Sequence, residues 1–89
     1  DIGYFCFIHA KYGVEIEEDA QIGGGTFIYS INTENNTHSK IIIMRGAKIG
    51  ANCVILPSKD GKPRIIGENA SVRANTTVNK NIPKEFHYP

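Results

Sequence analysis

Aliphatic side chains recur six residues apart along most of the chain, and this spacing constrains the fold more than any other feature. The repeated positions are Ile2 and Ile8; Ile16, Ile22 and Ile28; Ile43, Ile49 and Ile55; and Ile66, Val72 and Val78. A six-residue unit is too short for a hairpin strand and its return, but it suits one flat side of a coil. Stacked coils would then bury continuous aliphatic columns. The spacing therefore predicts a β-solenoid rather than a sandwich of hairpins.

The aliphatic composition agrees with strands. The chain has 14 Ile and 4 Val but 1 Leu, and β-branched side chains fit pleated surfaces better than helices. A small side chain stands two residues before the repeated aliphatic in seven of eleven cases. Because residues i−2 and i of a strand face the same side, each unit places one small and one large side chain inward. We therefore expect an all-β protein.

Charge and cysteine usage exclude several classes of protein. Lys and Arg number 10 and Asp and Glu number 9, whereas nucleic-acid binding needs an excess of clustered cations. The longest apolar run, Ile41–Met44, is far shorter than the roughly 18 residues of a membrane span. Cys6 and Cys53 lack the spacing of a disulfide scaffold or zinc site, and no signal peptide is visible. We expect a cytoplasmic protein with two buried free thiols and without a nucleic-acid partner.

Several stretches resemble the hexapeptide-repeat acyltransferases, namely Gly13–Ile16, Ala47–Pro57 and Ile66–Ala70. The segment Val78–Pro83 is similar to the V-x-K-D-I-P string that closes the repeats in that family. The resemblance implies a left-handed parallel β-helix of about four triangular coils. It covers residues 1–83, the expected β-helix domain, and leaves residues 84–89 as a C-terminal tail that is expected to be truncated.

The repeated aliphatics divide among three sides of such a prism, called sides A, B and C below. Side A takes Ile2, Ile22, Ile49 and Val72, side B takes Ile8, Ile28, Ile55 and Val78, and side C takes Ile16, Ile43 and Ile66. Extra residues follow side B in three coils, and the longest insertion predicts a protruding loop near residues 31–40. Because one edge carries every insertion, we expect the functional site there.

The resemblance implies transfer of an acetyl group from acetyl-CoA to a hydroxyl, which needs a base of near-neutral pKa. His38 in the long loop is the first candidate base, and His9 on the same edge is the second. In the maltose and galactoside acetyltransferase branch the catalytic His falls at the position of Thr33, and a family Asn falls at Gly3. The string Ile28–Thr33 is more similar to a polysaccharide-modifying branch.

Cofactor contacts in this family come mostly from the outer backbone of the later coils. By resemblance, Ala51 and Ala74 occupy corner positions that let a ligand approach closely, although alanine also simply fits a tight turn. Lys80 corresponds to the family lysine near the adenosine phosphates, where a cation suits several negative charges. Arg73 replaces the usual glycine, so it either adds a second positive contact or blocks the groove.

No metal is expected, because His9, His38 and His87 lack the paired spacing of the zinc-binding carbonic anhydrases of this fold. The resulting hypothesis is an acetyl-CoA-dependent O-acetyltransferase that acts on a sugar or glycan hydroxyl. Family members are homotrimers with each active site between two prisms. Two alternatives stay open: an N-acetyltransferase of an amino-sugar nucleotide, and a catalytically silent trimerisation or scaffold module.

Overall fold

The computed structural model describes residues 1–89 and consists of short strands joined by turns, without a helix. It accordingly has no helix of the length and apolarity that crossing a membrane requires. The strands are β1 (Phe7–His9), β2 (Val14–Ile16), β3 (Gln21–Ile22), β4 (Phe27–Tyr29), β5 (Ile31–Asn32), β6 (Thr37–His38), β7 (Ile41–Ile43), β8 (Lys48–Ile49), β9 (Val54–Ile55), β10 (Arg64–Ile66), β11 (Ser71–Val72), β12 (Thr77–Val78) and β13 (His87–Tyr88).

Three parallel sheets form the three sides of the molecule. Side A contains β3, β8, β11 and β13, side B contains β1, β4, β9 and β12, and side C contains β2, β7 and β10, each in that spatial order. The chain visits the sides in rotation, so it forms a β-solenoid of about three turns. The predictions of an all-β chain and of parallel stacking are confirmed.

The aliphatic columns make up the core, as the spacing predicts. Neighbouring coils pair in register, for example Ile8 with Ile28 and Ile28 with Ile55. The buried members of the columns are Ile22, Ile28, Ile43, Ile49, Ile55, Ile66, Val72 and Val78, and their buried small partners are Ala20, Thr26, Ala47, Cys53 and Ala70. Cys53 is a free thiol in this core, as expected.

The first coil departs from the expected burial. Ile2 is 47% exposed, and Ile8, Ile16 and Cys6 are only half-buried. Each of these side chains has a column neighbour on one side only, since Ile2 pairs with Ile22 and no coil lies beneath it. The expectation that every repeated aliphatic and both cysteines are buried is therefore wrong for this coil.

Two corners of each coil are tight turns that use a left-handed residue. Positive φ angles occur at Asp19, Gly25, Gly46, Asn52, Asn69 and Asn75, and also at Phe5 and Glu85. Glycine, asparagine and aspartate adopt this region most readily, which explains most of these positions. In most of these turns the next residue faces inward and has a small side chain, because a tight corner leaves little room for a larger one. After the wider corner between sides B and C, the corresponding positions instead hold Val14, Ile41 and Arg64.

The segment expected as a tail, residues 84–89, continues the stack. β13 pairs in parallel with β11, and Tyr88 lies beside Val72 on side A. Ile82 is 1% exposed and bridges to Ile66 on side C. The six-residue spacing in fact extends from Ile82 to Tyr88, with an aromatic ring in place of the aliphatic side chain.

Candidate functional site

The edge between sides B and C, called the insertion edge below, carries all three insertions, as predicted. Residues 10–13 follow β1, residues 30–40 follow β4, and residues 56–63 follow β9. Each insertion returns to a strand of side C. The insertions lie one above another because the strands before them stack in register. This edge is where the chain departs most from its repeat.

The longest insertion, predicted as a protruding loop near residues 31–40, folds as an antiparallel hairpin made of β5 and β6. Asn32 pairs with Thr37 across the hairpin. The Asn32 side-chain oxygen accepts a hydrogen bond from the Glu34 N–H at 3.1 Å, and Asn36 adopts a φ of 56° that helps close the turn. Asparagine suits both roles, because it accepts local backbone bonds and tolerates positive φ.

Two buried serines join the three insertions. Ser30 and Ser39 are 0% and 3% exposed, and the Ser39 N–H donates to the Ser30 carbonyl at 3.0 Å. The Ser30 hydroxyl accepts from the Tyr12 N–H at 3.0 Å, and the Ser39 hydroxyl accepts from the Ser58 N–H at 2.8 Å. The sequence did not single out either residue. Strand alternation after Ile28 places Ser30 inward, but no pattern marks Ser39.

His9 lines a cavity of about 370 Å³ beside the hairpin. The cavity is formed by Phe7, His9, Tyr29, Ile31, Asn32, Thr33 and Leu56. His9 lies in register with Tyr29, as the sequence predicts. Its Nδ1 atom is buried without a hydrogen-bond partner, an uncommon and costly state for a polar atom. Thr33 lines the same cavity.

His38 has a different environment. It is exposed on β6, and its ring stacks on Tyr12 with a centroid separation of 4.2 Å and an interplanar angle of 15°. It does not line any of the cavities along the insertion edge. The structure therefore separates the two candidate bases: His9 faces a cavity, whereas His38 covers the first insertion from outside.

Three neighbouring cavities follow one another along the insertion edge and share lining residues, and together they are called the insertion groove below. The cavity at His9 shares Asn32 and Leu56 with a smaller one of about 180 Å³. The smaller cavity shares Lys59, Arg64 and Asn79 with a third of about 400 Å³. This insertion groove begins among aromatic side chains in the first coil. It ends at a polar surface in the last coil, where Lys80 also lines it.

Arg64 holds the polar end of the groove together. Its guanidinium donates to the carbonyls of Leu56 at 2.9 Å, Asn79 at 2.9 Å and Pro57 at 3.3 Å. It also donates to the side-chain oxygen of Asn81 at 3.2 Å. Burial lowers the pKa of Arg64 from its ordinary value, and the nearby Asp60 carboxylate acts in the opposite direction. Arg64 thus joins the third insertion to the last coil, a role that the sequence did not indicate.

The four cofactor candidates fall on two different edges. Ala51 and Ala74 stack at the corner between sides A and B, and Arg73 is exposed beside Ala74. Lys80 lies on the insertion edge, with its Nζ atom 5.0 Å from the centre of the Tyr88 ring. A single ligand that contacted both Lys80 and the corner at Ala51 and Ala74 of the same chain would have to cross the outer face of side B.

Two further features lie outside the insertion groove. A cavity of about 470 Å³ near Met44 and Lys84 contains neither histidine nor cysteine. His87 accepts or donates a short hydrogen bond with the Ser71 hydroxyl, on the outer face of side A. No three His, Cys, Asp or Glu side chains come together in a metal-binding arrangement.

No family model, curated protein or solved structure matches the chain. The fold defines the class, a parallel β-solenoid with one elaborated edge. The insertion groove is its candidate site because it joins a histidine with an unpaired buried nitrogen to a cluster of cations.

Proposed function

We propose that the protein is an acetyl-CoA-dependent O-acetyltransferase that acts on a sugar or glycan hydroxyl. We further propose that its solenoid is a left-handed β-helix of four triangular coils. The resemblance of the repeats and of Val78–Pro83 to hexapeptide-repeat acyltransferases supports both statements. The free thiols of Cys6 and Cys53 suit the reducing cytoplasm, where we place the enzyme.

One observation carries the proposal: His9 and Lys80 lie at opposite ends of the insertion groove. The sequence selected His9 as a candidate base because it follows Ile8 on this edge, and it selected Lys80 as a candidate phosphate contact by resemblance to the family lysine. An extended thioester with phosphates at one end suits a groove with this polarity. Its reactive end would lie among the aromatic residues and its phosphates beside Lys80.

His9 is the base in this proposal. It accepts the proton of the acceptor hydroxyl while that oxygen attacks the thioester carbonyl. A carbon–oxygen bond forms and the carbon–sulfur bond breaks, and the proton then passes to the departing thiolate of CoA. The acetyl group is already activated as a thioester, so no protein nucleophile is needed.

His38 is the competing base. Its stacking on Tyr12 and its absence from the lining of the insertion groove argue against proton transfer by this residue. Removing each imidazole in turn distinguishes the two candidates, because only loss of the base changes turnover strongly.

We also propose that the protein is a homotrimer. The outer faces of two sides carry apolar residues: Phe7 and Phe27 on side B are 48% and 38% exposed, and Ile42 and Ile65 on side C are partly exposed, although Glu15 and Thr77 share these faces. Side A instead presents polar residues such as Lys48. Contact between the faces of sides B and C in neighbouring copies would remove this apolar surface from water and stabilise a small domain.

Thiol release from acetyl-CoA, measured with a panel of sugars, tests the proposed reaction. We expect His9→Ala to lower turnover by roughly 10²–10⁴, the usual contribution of a general base. His87→Ala is the matched control, since His87 lies outside the groove and should leave turnover unchanged. If His38→Ala causes the large loss and His9→Ala does not, His38 is the base.

The same assay separates the alternatives. An amino-sugar nucleotide that releases thiol faster than any hydroxyl acceptor would indicate N-acetylation. Absence of thiol release and of CoA binding would favour a silent interaction module. The exposed aromatic cluster of Phe7, Phe27 and Tyr29, with ring centres 5.8–5.9 Å apart, is the feature that favours that module.

A further inference from the structure

The third cavity of the insertion groove, called the cation pocket below, concentrates positive charge. Lys59, Lys62, Arg64 and Lys80 line it together with a single acid, Asp60. Four cations and one carboxylate give a local charge of +3, although the whole chain carries only +1. Apart from Pro63, every residue that lines this cavity is polar or charged. The pocket is therefore suited to a small, strongly anionic group.

Arg64 is the buried cation of this pocket, and the nearby Asp60 carboxylate compensates its charge only in part, without forming an ion pair with it. The residue is 6% exposed, and every acceptor that its guanidinium contacts is a neutral oxygen. It takes part in no ion pair, since the one in the chain joins Lys40 to Glu15. A guanidinium has five N–H donors, so the four hydrogen bonds observed leave one N–H available. Burying a charge is costly, and a bound anion within hydrogen-bond distance would reduce that cost further than the more distant Asp60 carboxylate does.

The three lysines are held around Arg64 by the fold itself. Asp60 shapes the turn that carries Lys59 and Lys62, because one of its oxygens accepts from the Ser58 hydroxyl and from the Lys62 N–H. Lys80 comes from the last coil, where its cation–π contact with Tyr88 limits its freedom. None of the three lysines has an ion-pair partner. Their charges are therefore available to a ligand.

We propose that the cation pocket binds an oxyanion with two or more negative charges, such as a pyrophosphate or a phosphate ester. Arg64 is the buried anchor, and Lys59, Lys62 and Lys80 supply charge-assisted contacts from the rim. This inference deepens the proposed function and rests on it where the oxyanion is the phosphate of CoA, but the binding itself can be measured without acetyl transfer. The phosphate group can come from two sources, the CoA thioester or a phosphorylated acceptor such as a nucleotide sugar.

Titration calorimetry with inorganic pyrophosphate tests the pocket without any acetyl transfer. We expect saturable binding by the wild type that weakens as ionic strength rises. The double variant Lys62→Ala/Lys80→Ala should bind at least about tenfold more weakly, because two charge-assisted contacts are lost. The control double variant Lys11→Ala/Lys48→Ala removes the same charge elsewhere and should bind as the wild type does. Absence of saturable binding, or equal loss in both double variants, overturns the proposal.

Arg64→Lys tests the anchor, because it keeps the charge but loses the planar fork. With folding verified by circular dichroism, we expect weaker pyrophosphate binding; unchanged affinity would show that Arg64 is only a structural contact and overturn its assigned role. Competition then assigns the source of the phosphate. Displacement by CoA but not by pantetheine points to the thioester, and displacement by a nucleotide sugar but not by CoA points to the acceptor.

Discussion

Gly50 tests whether close stacking of the coils explains the Ile-Gly dipeptides. A Cβ atom at this position would lie 2.5 Å from Ala74 N, 2.8 Å from Ala74 Cα and 3.0 Å from Arg73 C. All three atoms belong to the backbone of the next coil, so no side chain can rotate away. Gly23 shows the same geometry one coil earlier, with 2.5 Å to Ala51 N. Gly50→Ala should therefore force neighbouring coils apart.

The expected loss follows from two opposing effects. Overpacking a well-packed site costs typically about 1–3 kcal/mol, and contact with backbone places Gly50 in the upper part of that range. Alanine also restricts the unfolded chain, which offsets about 0.4–1 kcal/mol. The net loss in the free energy of unfolding is about 2 kcal/mol, which corresponds to a fall in Tm of roughly 8–16 °C for a domain of this size.

Thermal and urea unfolding, followed by circular dichroism, measure this loss. Arg73→Ala is the matched control, because Arg73 occupies the same corner position one coil later and is exposed. We expect that substitution to change the free energy of unfolding by less than about 0.5 kcal/mol. Gly50→Ala with the stability of the wild type would refute the reasoning, since the dipeptide would then not be required by coil spacing.

Two further outcomes are expected. Ile49→Asp should abolish the folded state, seen as loss of the β circular dichroism signal, because Ile49 is 3% exposed and an unpaired carboxylate there would have no partner; a folded variant would contradict the column arrangement. The pKa of Asp60 is lowered from 3.8, chiefly by the Ser58 hydroxyl and then by the Lys62 N–H. Because the folded pKa of Asp60 lies below its unfolded value, the ionised carboxylate stabilises the turn at pH values above about 3.8. This stabilisation is lost as the pH falls through the folded pKa. The Lys62 amide resonance in NMR should therefore shift only below about pH 3.8. A midpoint above 3.8 would contradict this assignment.

The columns were predictable because a repeat encodes them many times. The same inward position recurs in register at Ile22, Ile49 and Val72, so each coil independently predicts one inward aliphatic every six residues. Strand alternation then predicts the small inward residue two positions earlier. The repeat does not say how many neighbours each coil has. Ile2 has the same spacing as the others yet is 47% exposed, because burial depends on stacking from both directions.

The edge that carries the insertions was predictable, but the set of side chains that meet in its candidate site was not. Counting residues between Ile28 and Ile43 places the long insertion on the correct edge. Which side chains meet there depends on contacts between different insertions, such as the hydrogen bond from Ser58 to Ser39. Residues far apart in sequence make these contacts, and neither periodicity nor composition records them. His9 joined the candidates because it follows Ile8, whereas Arg64 carried no such signal.

The position of Arg64 connects the repeat to the site. Two residues before each aliphatic of side C, the chain has Val14, Ile41 and Arg64, where sides A and B have mostly small residues. The insertions widen the corner that precedes side C, and a wide corner has room for a large inward side chain. In the last of these positions that room holds a guanidinium, whose hydrogen bonds connect the third insertion to Asn79. The insertions that interrupt the repeat thus form the insertion groove and also place a buried cation, Arg64, at its polar end. Sequences most often break their local pattern at candidate sites of this kind.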